Sequence, residues 1–293
     1  MIALLGYYGF GNLGDELLLQ ACLEKFGDLD EILVLSNNPE ETQKNFKVKS
    51  INRWHYCEVI KALRNCEALY LGGGGLFQDS SSIVSCLWYW FMVRLAKFLG
   101  LKVFALGQSV GPLDSKISRL LTANALKLCE RVEVRDENSY MLAAELGCKN
   151  LIRSQDLVLS LKTKPSSKQR RYVLINLRPC KKLDDFVEAL LLHVEGINGE
   201  RIGVALSGED EKILEALQKK LALSKIIRVT NFSEAENLWA TASYAVGMRL
   251  HFGVLSHLFN VPAALMPYDL KVSEFAKQFD ITVIKFAHEQ AQN

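Results

Sequence analysis

The sequence predicts an α/β protein of two doubly wound, Rossmann-like domains in tandem, and three observations carry that reading. Short apolar runs alternate with helical patterns along the whole chain, which is the signature of βα units and parallel sheets. At 293 residues the chain is long enough for about two domains of roughly 150 residues each. The most polar run, Lys162 to Arg171, contains no apolar residue and splits the alternation in two. Domains are therefore expected at 1–163 and 171–293.

In the first half, strands are expected at Ile2–Leu5, Glu31–Leu35, Val48–Ile51, Ala68–Leu71, Lys102–Leu106, Arg131–Val134 and Asn150–Arg153, each a short β-branched or aliphatic run bounded by polar residues or glycine. Helical patterns lie between them, as at Asp15–Phe26, Glu58–Asn65 and Lys116–Cys129. The stretch Ile83 to Leu101 is strongly apolar but contains Arg94 and Lys97. It falls short of the uninterrupted ~20 apolar residues that cross a bilayer and reads as a buried helix. After the linker come strands at Tyr172–Leu177, Arg201–Leu206, Ile226–Val229, Tyr244–Val246, Ala263–Met266 and Thr282–Ile284. Helices are expected from Asp184, Glu209 and Ser233, near Leu250–Phe259 and near Val272–Phe279. Sheets of this kind bind ligands beyond the carboxyl ends of their strands, so two facing domains would form a cleft.

Composition narrows the function. Apolar residues make up 49% and charged residues 23%, which excludes disorder and coiled coil. Lys and Arg number 35 against 33 Asp and Glu, with no basic block, so nucleic acid is not an expected partner. The seven cysteines show no C-x-x-C pair and no clustering with histidine, so they read as reduced thiols of a cytoplasmic protein without structural zinc. The N-terminus reads as a first strand rather than a signal peptide. Trp54, Trp88, Trp90 and Trp239 read as core residues, with stacking on a sugar as the alternative. His55, His193, His257 and His288 have no supporting pattern.

Several segments could carry chemistry, and each follows an expected strand. Gly6 to Glu16 contains G-x-G-x-x-G at Gly9, Gly11 and Gly14, with Asn12 inside it and Asp15 just after, where a helix start would present amides to an anion. A nicotinamide dinucleotide is disfavoured because the second strand ends in Ser36-Asn37-Asn38, without the expected ribose-binding acid. Gly72 to Gly75 has more glycine than a turn requires. An anion or sugar held by main-chain amides at Gly73 and Gly74 fits, with a flexible loop as the alternative. Gln108 and Arg135 belong to the same expected rim. In the second half, Arg249 and His251 sit at a strand end and helix start, joining a fixed cationic fork to a group that titrates near neutrality. Lys271 and Arg178 follow neighbouring strands. The pattern suits a small, doubly anionic donor, and there is neither a P-loop nor a nucleophile elbow.

Taken together, Gly-Tyr-Tyr-Gly-Phe-Gly-Asn-Leu-Gly-Asp-Glu at 6–16, Gly-Gly-Gly-Gly-Leu-Phe-Gln-Asp at 72–79, Gly-Gln-Ser-Val-Gly-Pro at 107–112, Val-Arg-Asp-Glu-Asn-Ser at 134–139 and Gly-Met-Arg-Leu-His at 247–251 resemble the polysaccharide pyruvyl transferase family, in particular its CsaB type. The resemblance implies a fold similar to the two-domain GT-B glycosyltransferases. It implies transfer of pyruvate from phosphoenolpyruvate onto two sugar hydroxyls as a cyclic ketal. The acceptor implied is an N-acetylmannosamine of a cell-wall glycan precursor, with the ketal later anchoring S-layer proteins. A lipid-linked acceptor would bring the enzyme to the inner face of the membrane. No metal or organic cofactor is implied.

On this resemblance Arg135, His251 and Lys271 bind and activate phosphoenolpyruvate, with Arg249, Gly73 and Gly74 as further donor contacts. His251 serves proton transfer or the leaving phosphate, and Asp15, expected across the cleft, takes the acceptor's proton. Asn12, Gly14, Gln108 and Arg178 are expected to line the cleft around the acceptor. The alternatives are a GT-B glycosyltransferase using a nucleotide sugar and an inactive sugar-binding relative.

Overall fold

The computed structural model describes residues 1–80, 82–165 and 168–284. Ser166 and Ser167 of the expected linker, His288 and the rest of 285–293 lie outside them. The chain forms two compact units: Met1–Phe10 with Asp15–Leu161, and Gly11–Gly14 with the chain from Lys162 onward. The first glycine segment thus lends four residues to the second unit, which a single cut at the linker does not anticipate.

The first unit holds β1 (Ile2–Leu5), α1 (Leu13–Phe26), β2 (Ile32–Ser36), α2 (Pro39–Phe46), β3 (Lys49–Asn52), α3 (Tyr56–Leu63), β4 (Ala68–Leu71), β5 (Gly74–Phe77), α4 (Ile83–Phe98), β6 (Lys102–Val110), α5 (Lys116–Lys127), β7 (Arg131–Val134), α6 (Glu137–Glu145) and β8 (Leu151–Arg153). Its strands run in the order β3-β2-β1-β4-β6-β7-β8, with β5 paired to β6, and every pairing is parallel. A parallel sheet covered on both faces needs near-continuous apolar strands. Accordingly Ala3, Leu4, Leu5, Val34, Leu35, Leu69 and Leu71 are fully buried. Helix α4, the stretch too polar to span a bilayer, packs Met92, Val93 and Ala96 into this core. Among the described residues no helix is long and apolar enough to cross a membrane.

The second unit holds β9 (Tyr172–Asn176), α7 (Leu183–Val194), β10 (Glu200–Ala205), α8 (Gly208–Leu217), β11 (Lys225–Arg228), α9 (Phe232–Trp239), β12 (Ala242–Gly247), α10 (Leu250–Leu258), β13 (Ala263–Leu265), α11 (Leu270–Gln278) and β14 (Thr282–Val283). Its parallel strands run β11-β10-β9-β12-β13-β14. The helix starts are fixed by side-chain caps that satisfy otherwise orphaned amides: Asn38 for α2, Ser115 for α5, Asp136 for α6, Ser207 for α8, Asn231 for α9 and Asp269 for α11.

In both sheets the order reverses once. The chain builds outward from β1 through β2 to β3, then returns to place β4 on the other side of β1. In the second sheet β12 returns beside β9 in the same way. Such reversals leave a crevice beyond the carboxyl ends of the flanking strands. These are the ends that carry Tyr7–Gly9 and Gly72 in the first unit, and Arg178 and Arg249 in the second.

Candidate active site

In the second unit, the cations expected from sequence lie beyond three adjacent strands. Arg178 follows β9, Arg249 and His251 follow β12, and Lys271 lies in the first turn of α11 beyond β13. A buried acid holds one of them, Arg249. Asp210, fully buried at the start of α8, accepts from Arg249 Nε at 3.0 Å and from Arg249 Nη2 at 2.6 Å. Ser207 Oγ accepts from the same Nη2 at 2.8 Å. The Asn176 amide at the end of β9 donates to Val204 O, and its Oδ1 accepts from the Arg249 backbone N–H. The Nε/Nη2 edge of Arg249 is therefore committed to the fold, and an anion would meet the Nη1 side. Arg178 lies over the Tyr268 ring, 4.2 Å from its centroid. Burial pushes the Tyr268 phenol above its ordinary range, reinforced by Asp269 and opposed by Arg178 and Arg249. Tyr268 is thus a neutral, hydrogen-bonding member of a cationic rim.

His251 stands in the first turn of α10 against the four residues contributed by the glycine segment. A Cβ at Gly14 would overlap the imidazole at Nδ1, so glycine at this position is what admits the ring. The segment is anchored by Leu13 N–H to Leu206 O at 2.9 Å, and Asn12 Oδ1 accepts from Gly14 N–H at 3.1 Å. Asn12 therefore shapes the turn. Gly11, with φ +70°, lies near the Arg228 guanidinium.

In the first unit the fold itself gives the glycine run a packing role. Something does approach the backbone at Gly72–Gly74, but it is the protein. A Cβ at Gly72 would fall on the Tyr8 hydroxyl, and one at Gly73 would lie 2.8 Å from Leu18 and 3.2 Å from Leu157. Gly73 and Gly74 are buried, and Gly74 opens β5. Gln108 supports the same turn. It is fully buried within β6, and its amide nitrogen donates to Leu71 O, Gly72 O and Leu106 O, bracing the glycine turn.

Asp15 remains beside this turn: a Cβ at Gly74 would lie 3.5 Å from Asp15 Oδ1. Glu16, one residue on, accepts from Gly9 N–H at 2.8 Å, and burial pushes its carboxyl up to about 7. Arg135 is 7% exposed at the end of β7, with Nη1 on Asp156 Oδ2 at 2.5 Å and Nε on Ser109 Oγ at 2.9 Å. Asp156 also accepts from Val158 N–H, and Leu157 between them fills the space above Gly73 and Gly107.

Sequence reasoning missed Asp210, Asn176, Tyr268 and Asp156 as parts of these rims. Their signal was positional, since Asn176 ends a strand and the other three lie shortly past one, but no local motif pairs Asp210 with a residue 39 positions away.

Solved structures share the architecture. The UDP-GlcNAc 2-epimerase of Methanocaldococcus jannaschii aligns at TM-score 0.64 and 12% identity over 99% of this chain and 90% of its own. Anabaena HepE in complex with UDP-glucose aligns at 0.62 and 12% identity over 91% and 80%. The lipopolysaccharide outer core galactosyltransferase WaaB aligns at 0.52 and 10% identity over 90% and 80%. These likenesses establish a GT-B fold of two Rossmann-like α/β units. No curated protein matches the chain. Residues 12–269 match the model of the polysaccharide pyruvyl transferases, a span that includes Arg135, Arg178, Arg249 and His251, and the chain belongs to that family.

Proposed function

We propose that the protein transfers pyruvate from phosphoenolpyruvate onto two hydroxyls of a sugar as a cyclic ketal, in the manner of the CsaB type. The acceptor is an N-acetylmannosamine of a cell-wall glycan precursor whose ketal anchors S-layer proteins. A lipid-linked precursor would place the work in the cytoplasm, at the inner face of the membrane. The observation that carries this reading is the gathering of Arg178, Arg249, His251 and Lys271 beyond β9, β12 and β13, at the reversal point of one sheet.

Phosphoenolpyruvate brings a carboxylate and a phosphate, and charge-assisted contacts from arginine and lysine would hold both. One sugar hydroxyl adds to C2 while C3 takes a proton and becomes a methyl group. The second hydroxyl then replaces phosphate at C2, closing the ketal, and its proton leaves with phosphate. His251 serves the proton delivery or the departing phosphate, and Asp15 accepts the hydroxyl proton. Arg135, held by Asp156, contributes a further donor contact.

Calorimetry with phosphoenolpyruvate, beside a His251→Ala variant and a panel of nucleotide sugars, tests the reading. Binding of phosphoenolpyruvate that weakens in the variant is expected. Silence towards it with a clear nucleotide-sugar signal would replace the reading by a GT-B glycosyltransferase.

A further inference from the structure

The reversal point of the first sheet carries a second feature that the donor chemistry does not use. Tyr7 and Phe10, in the turn beyond β1, stack with ring centroids 3.9 Å apart and planes within 10°. Trp54, in the turn beyond β3, was expected in the core but is 43% exposed, and Tyr7 is 44% exposed. The two turns meet at Arg53, which is 2% exposed. Its guanidinium carbon lies 5.4 Å from the Phe10 ring, 5.2 Å from Trp54 and 3.8 Å from Trp88. Its Nη1 donates to Gly6 O at 2.6 Å.

A single exposed aromatic is ordinary. This one is held in place. Asn52 Oδ1 accepts from the Trp54 backbone N–H at 2.9 Å, and Asn37 Oδ1 accepts from its indole Nε1 at 2.8 Å. Asn37 is itself tied to Tyr8 O through its backbone N–H and to Gly9 O through its side chain. Two asparagines thus fix the orientation of a half-exposed indole, which lowers the ordering cost of anything that stacks on it.

We propose that Trp54 and the Tyr7–Phe10 stack form the acceptor platform, binding a pyranose ring of the glycan through its apolar face. The inference rests on the pyruvyl transfer proposed above and assigns the neutral substrate a place of its own. Charge argues for a sugar over the anionic donor. The Arg53 cation at the centre of the cluster is buried beneath rings and bonded to a carbonyl, whereas the rim after β12 and β13 gathers Arg249, His251 and Lys271. The site lies beyond the carboxyl ends of β1 and β3, on the ligand-binding edge of a doubly wound sheet.

The test is a titration of the full chain with methyl glycosides of N-acetylmannosamine, N-acetylglucosamine, galactose and glucose, followed by tryptophan emission, with uridine and UDP as the competing aromatic-stacking ligands. At least one glycoside is expected to change the emission, and Trp54→Phe to abolish that change while keeping most of the affinity. In turnover, Trp54→Leu is expected to raise the acceptor KM by about tenfold, the effect of roughly 1.4 kcal/mol of lost contact. The KM for phosphoenolpyruvate should stay at its wild-type value. If Trp54→Leu fails to fold, as thermal unfolding would show, Tyr7→Ala takes its place on the exposed side of the stack. Unchanged acceptor KM and glycoside affinity in a folded variant overturn the proposal, as does an emission response to uridine or UDP with none to any glycoside. Phosphoenolpyruvate calorimetry separates the readings: glycoside binding without it would keep the platform and reject pyruvyl transfer.

Discussion

The two sheets reverse in the same way, yet their rims are built on opposite terms. After β4 the rim is glycine, and the space beside it is filled by Tyr8, Leu18 and Leu157. After β12 the rim is cationic, and its charge is positioned by Asp210, buried below it. A glycine-rich turn at a strand's end is thus no proof of a ligand, because close packing of the protein's own side chains demands the same residue. Cations braced by a buried acid are harder to explain by packing, since a buried ion pair contributes little net stability compared with apolar residues of the same volume.

The largest effect that would sharpen this contrast is on chemistry. His251→Ala should lower turnover by about 10²- to 10⁴-fold, the usual contribution of a positioned proton-transfer group. Phosphate release from phosphoenolpyruvate in the presence of acceptor would measure it, and a wild-type rate would break the comparison at its centre. Next comes the brace. Arg249→Ala leaves Asp210 buried without its cation and should cost about 3–5 kcal/mol, read as a lower denaturation midpoint.

Glycine substitutions separate the two rims directly. Gly72→Ala sets a methyl group against the Tyr8 hydroxyl and should cost about 1–3 kcal/mol as an overpacking change, seen in thermal unfolding. Gly14→Ala pushes on His251 instead and should lose activity out of proportion to its change in melting temperature. If both variants lose only stability, the two glycines are alike and the distinction fails.

The last effect is electrostatic. Burial raises Glu16 from 4.5 to about 7, so folding favours its protonated form. The stabilisation is fully present below pH 4.5 and is lost as pH rises through about 7. Glu16→Gln keeps an acceptor for Gly9 N–H and should flatten the fall in the urea midpoint across that window.

Much of the architecture was legible from alternation alone, because a parallel sheet buried on both faces leaves an uninterrupted apolar run for each strand. Ile2–Leu5, Ala68–Leu71 and Arg131–Val134 begin and end where the sequence predicts. The prediction stopped β6 at Leu106, but the strand continues to Val110. Gln108 and Ser109 look like loop residues in one dimension, and only the fold supplies the carbonyls and the Asp136 carboxylate that let them be buried. Strand β5 was invisible for the related reason that glycine has little strand propensity, and its pairing with β6 carries it. At the candidate site the cations were visible as residue types at strand ends. Their anchors were not, since Arg249 meets Asp210 only after β9, β10 and β12 are laid side by side. Trp54 was misassigned because hydrophobicity predicts burial, whereas Asn37 and Asn52, which hold the indole at the surface, are ordinary turn residues in sequence.

The contact between Tyr8 and Gly72 has a bearing on inheritance. A side chain can appear at position 72 only after the phenol at 8 has been lost, and losing the phenol first opens a void beside Cys22 in the middle of the unit. Either single step passes through a weakened ancestor, so the two positions are expected to drift as a pair or not at all. Descendants that had abandoned the chemistry altogether would still be held to the glycine. An invariant Gly72 across distant sequences would then be a record of folding, while the fate of His251 would tell which lineages still catalyse.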